Sequence, residues 1–231
     1  MFYFDWTYLL IIPGLILGLW AQNRVNSAYK TYSRVSTRLG QPASAMVADL
    51  LRRNGNYAVS VGRVSGNLTD HYDPRTEKLN LSDGVYGSSS VAALGIAAHE
   101  AGHAMQKKEG YMPLKLRTAV VPMVNIGSSL STPLFMLGLI FAWQPLVYAG
   151  IVLFSLSTIF ALITLPVEFD ASRRAVEMLT SAGYVTGEEE RGVRKVLNAA
   201  ALTYVAALLM SLVQLLRYVL IFAGRGGRRD R

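Results

Sequence analysis

The sequence predicts a mainly α integral membrane protein, with about four transmembrane helices and a small α+β domain on the cytoplasmic side. Three observations predict it. Apolar segments lie at about 6–20, 119–143, 145–165 and 199–223, and the last three are each long enough to cross a bilayer core of ~30 Å. The stretches between them hold most of the positive charge, with thirteen Lys and Arg in 23–118 and five more in 167–198. Residues 57–82 alternate apolar and polar side chains in the manner of strands.

Composition supports the same class. The 231 residues are 52% hydrophobic with a mean hydropathy of +0.29, despite a net charge of +8. Cysteine is absent, which excludes disulfides and Cys-type zinc sites, so any metal must be held by His and carboxylate groups. A basic surplus flanking apolar segments orients a membrane protein. The chain lacks the stacking and phosphate-cradling motifs of a nucleic-acid binder, so no nucleic-acid partner is expected.

The elements follow in order. Trp6–Trp20 is preceded by Asp5 and by no Lys or Arg, so it reads as a retained anchor with its N-terminus outside rather than as a signal peptide. Residues 23–38 have apolar side chains at roughly helical spacing. Ala43–Arg53 reads as a helix stopped by Asn54-Gly55. Tyr57–Val64, Asn67–Tyr72 and Lys78–Ser82 read as strands of a small antiparallel sheet, with a turn at Asp73-Pro74-Arg75. Ser88-Ser89-Ser90 caps a helix over Val91–Glu109 that ends at Gly110. Only Gln144-Pro145 separates the second and third apolar segments, so they form an antiparallel hairpin. Glu168–Thr180 continues a helical pattern to Ala182-Gly183. A helix opened by Gly187-Glu-Glu-Glu then runs into the last apolar segment, which Arg217 interrupts. The tail R-G-G-R-R-D-R runs against the positive-inside pattern if that segment fully crosses. The expected organisation is an N-terminal anchor (1–22), a cytoplasmic α+β part (23–118), a transmembrane hairpin (119–166), a further helix (167–198), and a C-terminal span with a basic tail (199–231).

The stretch A-A-H-E-A-G-H-A-M, residues 97–105, carries the chemistry. On a helix, His99 and His103 lie on one face and can both reach one metal ion. Glu100 sits beside that face, where it can take a proton from water as a general base. Small residues at Ala98, Ala101, Gly102 and Ala104 let other elements approach closely. A catalytic zinc needs a third protein ligand. His71 is the only other histidine, and Glu109 sits where a third histidine would follow a glycine turn, but Gln106 stands at the glycine position. Topology favours Glu168. A two-span hairpin returns the chain to the side it left, and a carboxylate at the edge of an apolar span needs a partner such as a metal. Asp170 points to a different helix face, and pairing with Arg173 or Arg174 is its simpler reading.

H-E-A-G-H on a helix, a membrane hairpin, and then E-F-D-A opening the next helix resemble the membrane-embedded gluzincins, the heat-shock membrane proteases and CAAX prenyl proteases among them. The closer resemblance is to the small bacterial YugP-like neutral zinc metallopeptidases. It rests on D-H-Y-D-P-R at 70–75, A-A-L-G-I-A-A-H-E-A-G-H-A at 92–104, L-P-V-E-F-D-A-S-R-R-A at 165–175 and A-A-A-L-T-Y-V-A-A at 199–207. The resemblance implies one zinc ion per chain on His99, His103 and Glu168, with Glu100 as catalytic base and a gluzincin-like catalytic domain. One position departs from the gluzincin pattern. Four residues after the ligand glutamate, an Asp that orients a histidine is replaced by Ser172, which leaves that role to Asp170 or another residue.

Gluzincin-type proteases hold an extended peptide against an edge strand, and Lys78, Leu79, Asn80, Leu81 and Ser82 are placed to form one. His71, Tyr86 and Tyr204 are candidates for stabilising the oxyanion. The expected protein is a zinc endopeptidase of the bacterial cell membrane. Its active site faces the cytoplasm, and its partners are the lipid bilayer and protein or peptide substrates. The alternative is a non-hydrolytic zinc-binding scaffold or metal-handling protein, which would need the histidines but not Glu100.

Overall fold

A computed structural model describes residues 6–226. A short 3-10 turn at Trp6–Leu10 leads into α1 (Ile11–Tyr32), followed by α2 (Ala43–Arg53), β1 (Ser60–Val64), β2 (His71–Asp73) and β3 (Lys78–Ser82). Then come α3 (Asp83–Tyr86), α4 (Val91–Lys108), α5 (Met112–Ile140), α6 (Gln144–Ser181) and α7 (Glu188–Gly226). Residues divide between two compact units. One holds the described residues of Met1–Trp20, Leu116–Leu165 and the described residues of Thr203–Arg231, and the other holds Ala21–Lys115 and Pro166–Leu202. Asp5 and most of the basic tail, on which orientation arguments drew, lie outside the described residues.

The first unit is apolar on its outside. Four helices of the chain are long and apolar enough to cross a membrane. Large side chains such as Ile16, Ile126, Val152 and Leu162 stand exposed, which in water would be costly and against lipid would not. Within the unit, small residues set the spacing of α5 and α6. A Cβ on Gly138 would lie 2.6 Å from the Val147 nitrogen, and one on Gly150 would lie 2.7 Å from the Phe135 nitrogen. Tyr218 stacks on Phe135 with centroids 4.0 Å apart, and its hydroxyl shares a 2.8 Å hydrogen bond with Thr132. Arg217, the cation that interrupts the last apolar segment, donates to Thr7 Oγ1 at 3.1 Å. Its guanidinium lies 3.8 Å from the Tyr8 ring centroid.

The second unit packs around α4, of whose 18 residues thirteen are buried. The Ala-rich sequence explains this, because short side chains let neighbours approach from several sides. Ser90 caps the helix by accepting from the Ala93 N–H at 3.2 Å. Against α4 lie Met46, Val47, Leu50 and Leu51 of α2, Leu79 and Leu81 of β3, and Leu179 of α6. Each of these buries almost completely, contributing about 2 kcal/mol from removal of apolar surface. At Gly102 a Cβ would meet the Ala171 carbonyl oxygen at 2.5 Å, so α6 can lie against α4 there only because position 102 has no side chain.

The sheet differs from expectation. Among the described residues its order is β1-β3-β2, with β1 parallel to β3 (Ser60 opposite Lys78) and β2 antiparallel to it (His71 opposite Asn80). The sheet is therefore mixed rather than antiparallel. Lys78–Ser82 is the middle strand, with both of its sides already hydrogen-bonded, so it cannot serve as an edge for a substrate. The chain between β1 and β2 passes beyond β3 and is tied down by carboxylates. Asp70 accepts from the Ser82 N–H at 2.7 Å and hydroxyl at 2.8 Å, and Asp83 accepts from Arg63 at 2.7 Å and the Gly66 N–H at 3.3 Å.

Candidate metal centre

One helical turn separates His99 and His103 on α4, and their rings meet edge to face with centroids 4.8 Å apart. The close approach at Gly102 sets α6 beside this turn and brings Glu168 in. Glu168 Oε2 lies 3.2 Å from His99 Nε2 and 3.6 Å from His103 Nε2. One ligand atom from each of the three residues lies within 4.8 Å of the others, and the group could hold a metal ion. Glu168 is 2% exposed. A carboxylate this deeply buried requires a compensating cation or proton, and two imidazole nitrogens turned toward it offer a place for either. Two imidazoles and one carboxylate, with no sulfur, fit a zinc-type ion with an open fourth position.

The outer nitrogens of both rings are also fixed. His103 Nδ1 lies 3.0 Å from Gln106 Oε1, and Gln106 Nε2 donates to the Val167 carbonyl at 2.8 Å and to Asp170 Oδ2 at 3.0 Å. Both amide hydrogens of Gln106 thus face acceptors, so its oxygen must be the atom facing His103. That requires a proton on His103 Nδ1 and makes Nε2 the nitrogen that would meet a metal ion at the three-residue group. Ser172 Oγ lies 3.2 Å from His99 Nδ1 and can accept its proton in the same way. Burial alone would push the His103 pKa down, but contacts with Glu168, Glu100 and Gln106 outweigh it and hold the imidazole above the ordinary histidine value.

Glu100 is 9% exposed, and its Oε2 accepts the Tyr72 N–H of β2 at 2.9 Å. One carboxylate oxygen is therefore anchored on an edge strand of the sheet. Burial, aided by the charges of Glu77 and Asp73, pushes the Tyr72 phenol up to about 12, so it stays neutral at pH 7. Its side chain lines a recess of about 530 Å³ with Ala104 and Lys107, one turn further along α4.

Of the other sequence candidates, His71, Asp170 and Glu109 are engaged with other partners. His71 stands exposed on β2, with Nδ1 2.9 Å from the Thr69 carbonyl and Nε2 3.1 Å from the Asn80 amide. Asp170 does not reach a histidine. It pairs with Arg173 and with Arg174 and touches the site only through Gln106. Glu109 pairs with Arg174 at 2.6 Å. Tyr204 belongs to the apolar unit. Two contributors escaped the sequence reading. Gln106 lies three residues after His103, a buried polar side chain on an Ala-rich helix, and that combination was the available signal. Ser172 stood out only as a departure from the gluzincin pattern, yet it is the residue that meets His99.

Residues 7–223 match the family described as "Putative neutral zinc metallopeptidase". The chain is 46% identical over 213 residues to the protein named "Putative membrane protease YugP" of Bacillus subtilis (strain 168), covering 92% of this chain and 95% of that one. The chain belongs to this zinc metallopeptidase family. No solved structure matches it.

Proposed function

We propose that the chain is a membrane-embedded zinc endopeptidase of the gluzincin type, with His99, His103 and Glu168 as metal ligands and Glu100 as general base. The observation that carries this reading is the position of Glu168. It comes 65 residues after His103 in sequence (168 − 103) and yet reaches both imidazoles, at 3.2 and 3.6 Å. A zinc ion at this group would act as a Lewis acid on a peptide carbonyl and on the attacking water. Glu100, with one oxygen held by Tyr72, keeps the other to accept a proton from that water. As the C–N bond breaks, Glu100 passes the proton to the leaving amine. Ser172 and Gln106 hold the two imidazoles in the tautomer that directs Nε2 inward.

Substrate binding moves from the middle strand to β2. This edge strand, through Tyr72, holds Glu100, so an extended segment laid along it would place a peptide bond beside the base. The eighteen Lys and Arg of 23–118 and 167–198 support a cytoplasmic position for the site in a cell-membrane protein. Proteins at or in the bilayer are the substrates this position favours, in keeping with the naming of the Bacillus subtilis relative as a membrane protease. The cytoplasmic parts 23–118 and 167–198 and the spans 1–22, 119–166 and 199–231 keep their roles in this reading.

The test combines metal content with cleavage of membrane proteins by the purified chain in proteoliposomes. Glu168→Ala should lose bound zinc, and Glu100→Gln should keep zinc and lose cleavage by at least 10²-fold. Full zinc occupancy in Glu168→Ala would remove the ligand assignment. Undiminished cleavage by Glu100→Gln would remove the base assignment, whereas a parent chain that holds zinc and cleaves nothing would favour a non-hydrolytic zinc-binding scaffold.

A further inference from the structure

A groove of about 520 Å³, lined by none of the metal-group residues, lies between the latter half of α1 and the first half of α7. Two stripes at helical spacing form it. Arg24, Ser27, Ala28 and Thr31 come from α1, and Lys195, Asn198 and Ala199 come from α7. Ala28 and Ala199 are small, Tyr32 and Leu202 add apolar surface, and the other five lining residues present cations, hydroxyls and an amide. No Asp or Glu lines the groove. The acidic cluster at the start of α7 is engaged elsewhere. Glu188 pairs with Arg191, Glu190 with Arg194 at 2.8 Å, and Glu189 accepts the Arg38 N–H at 2.5 Å. Lys195 has Arg191 and Ala199 at its four-residue neighbours, so no carboxylate on its own helix faces it.

The depth of the two cations along their helices is informative. Arg24 follows Trp20, the end of the first apolar segment, by four residues, or about 6 Å of helix. Lys195 precedes Ala199, the start of the last one, by the same four residues. On the membrane reading proposed above, each cation thus sits about 6 Å outside the hydrocarbon, within a headgroup layer of about that thickness. We infer that this groove binds the phosphate headgroup of an anionic membrane lipid, with Arg24 and Lys195 pairing the phosphate and Ser27, Thr31 and Asn198 offering hydrogen bonds to it. The ligand spans the first and last apolar helices of the chain. The site is separate from the chemistry of the three-residue metal group.

The test uses the purified full chain in detergent, titrated with phosphatidylglycerol, phosphatidylcholine or inorganic phosphate, and read by native mass spectrometry and by the shift in unfolding temperature. Phosphatidylglycerol should bind at least tenfold tighter than phosphatidylcholine. Arg24→Gln and Lys195→Gln should each weaken it by about fivefold, while Lys30→Gln, outside the groove, leaves it unchanged. Equal binding of the two lipids, or full retention in Lys195→Gln, would overturn the site. Inorganic phosphate protecting as well as phosphatidylglycerol would overturn the lipid in favour of a soluble anion. Carbonate extraction separates the premises. Release of the chain overturns the membrane reading and the lipid site together, whereas retention without lipid preference overturns the lipid site alone.

Discussion

Replacing Gln106 by Leu isolates the network behind the metal group. The side chain is fully buried and makes contacts of 3.0, 2.8 and 3.0 Å to His103, Val167 and Asp170. Leucine fills a similar volume but supplies neither acceptor nor donors. The His103 Nδ1–H is left buried without its partner, a cost of about 1–3 kcal/mol. Asp170 keeps Arg173 and Arg174, so its loss is smaller. The folded chain should therefore lose about 2–3 kcal/mol of stability. Loss of the group that fixes the tautomer should weaken zinc binding by about 10- to 100-fold. Competition against a chromophoric chelator measures that affinity, and unfolding in the presence of the same chelator measures the stability term without metal. A variant that unfolds more easily but binds zinc within twofold of the parent chain would make Gln106 a packing residue only. It would refute the inference that its amide dictates the protonation of His103.

Three further outcomes test the surrounding structure. Gly102→Ala should destabilise by about 1–3 kcal/mol and lower zinc content, because the new methyl meets the Ala171 backbone at 2.5 Å. Without that contact the substitution would stabilise the helix by about 1 kcal/mol, so the sign of the change decides. Ser172→Ala should weaken zinc binding by about tenfold, and Ser172→Asp should retain it, since either a hydroxyl or a carboxylate can accept from His99 Nδ1; equal affinities in all three chains would exclude the contact. Tyr184→Phe removes a 2.6 Å hydrogen bond to Asp49, which together with Arg53 outweighs burial and holds that carboxyl below its ordinary value of 3.8. The loss should be about 1 kcal/mol at pH 7. A depressed carboxyl stabilises above its unfolded pKa, so the difference between the two chains should shrink as pH falls below about 4. A difference independent of pH would contradict the assignment.

Local signals in the sequence carried much of this structure, and non-local ones did not. The α2 boundaries coincide with the apolar run 43–53, and α4 begins after Ser90, because caps and periodicity act within a few residues. The nearness of Glu168 to the two histidines was legible because an apolar helical hairpin constrains where the chain returns. The sheet order was not, since alternation of side chains is the same for parallel and antiparallel neighbours and says nothing of which strand lies in the middle. Lys78–Ser82 was misplaced for that reason. Helix ends in the apolar regions were also blurred. Pro122, Pro133 and Pro166 stand inside α5 and α6, where neighbouring turns carry the helix past a missing N–H. Gln106 and Ser172 gain meaning only once α6 lies against α4, a contact that nothing in either segment alone encodes.

The sequence distance between the histidine pair and Glu168 also has a consequence in time. During synthesis His99 and His103 are joined to the chain 65 residues (168 − 103) before Glu168. At ordinary elongation rates that interval is about 3 to 13 s. Throughout it, on the proposed assignment, the nascent chain holds two of the three ligands and the base, but not the group that would close the set. The carboxylate arrives only after both strands of the apolar hairpin have been made. If that assignment holds, a chain built in this order would stay inert beside the ribosome and become competent only once its last two apolar helices had begun to assemble.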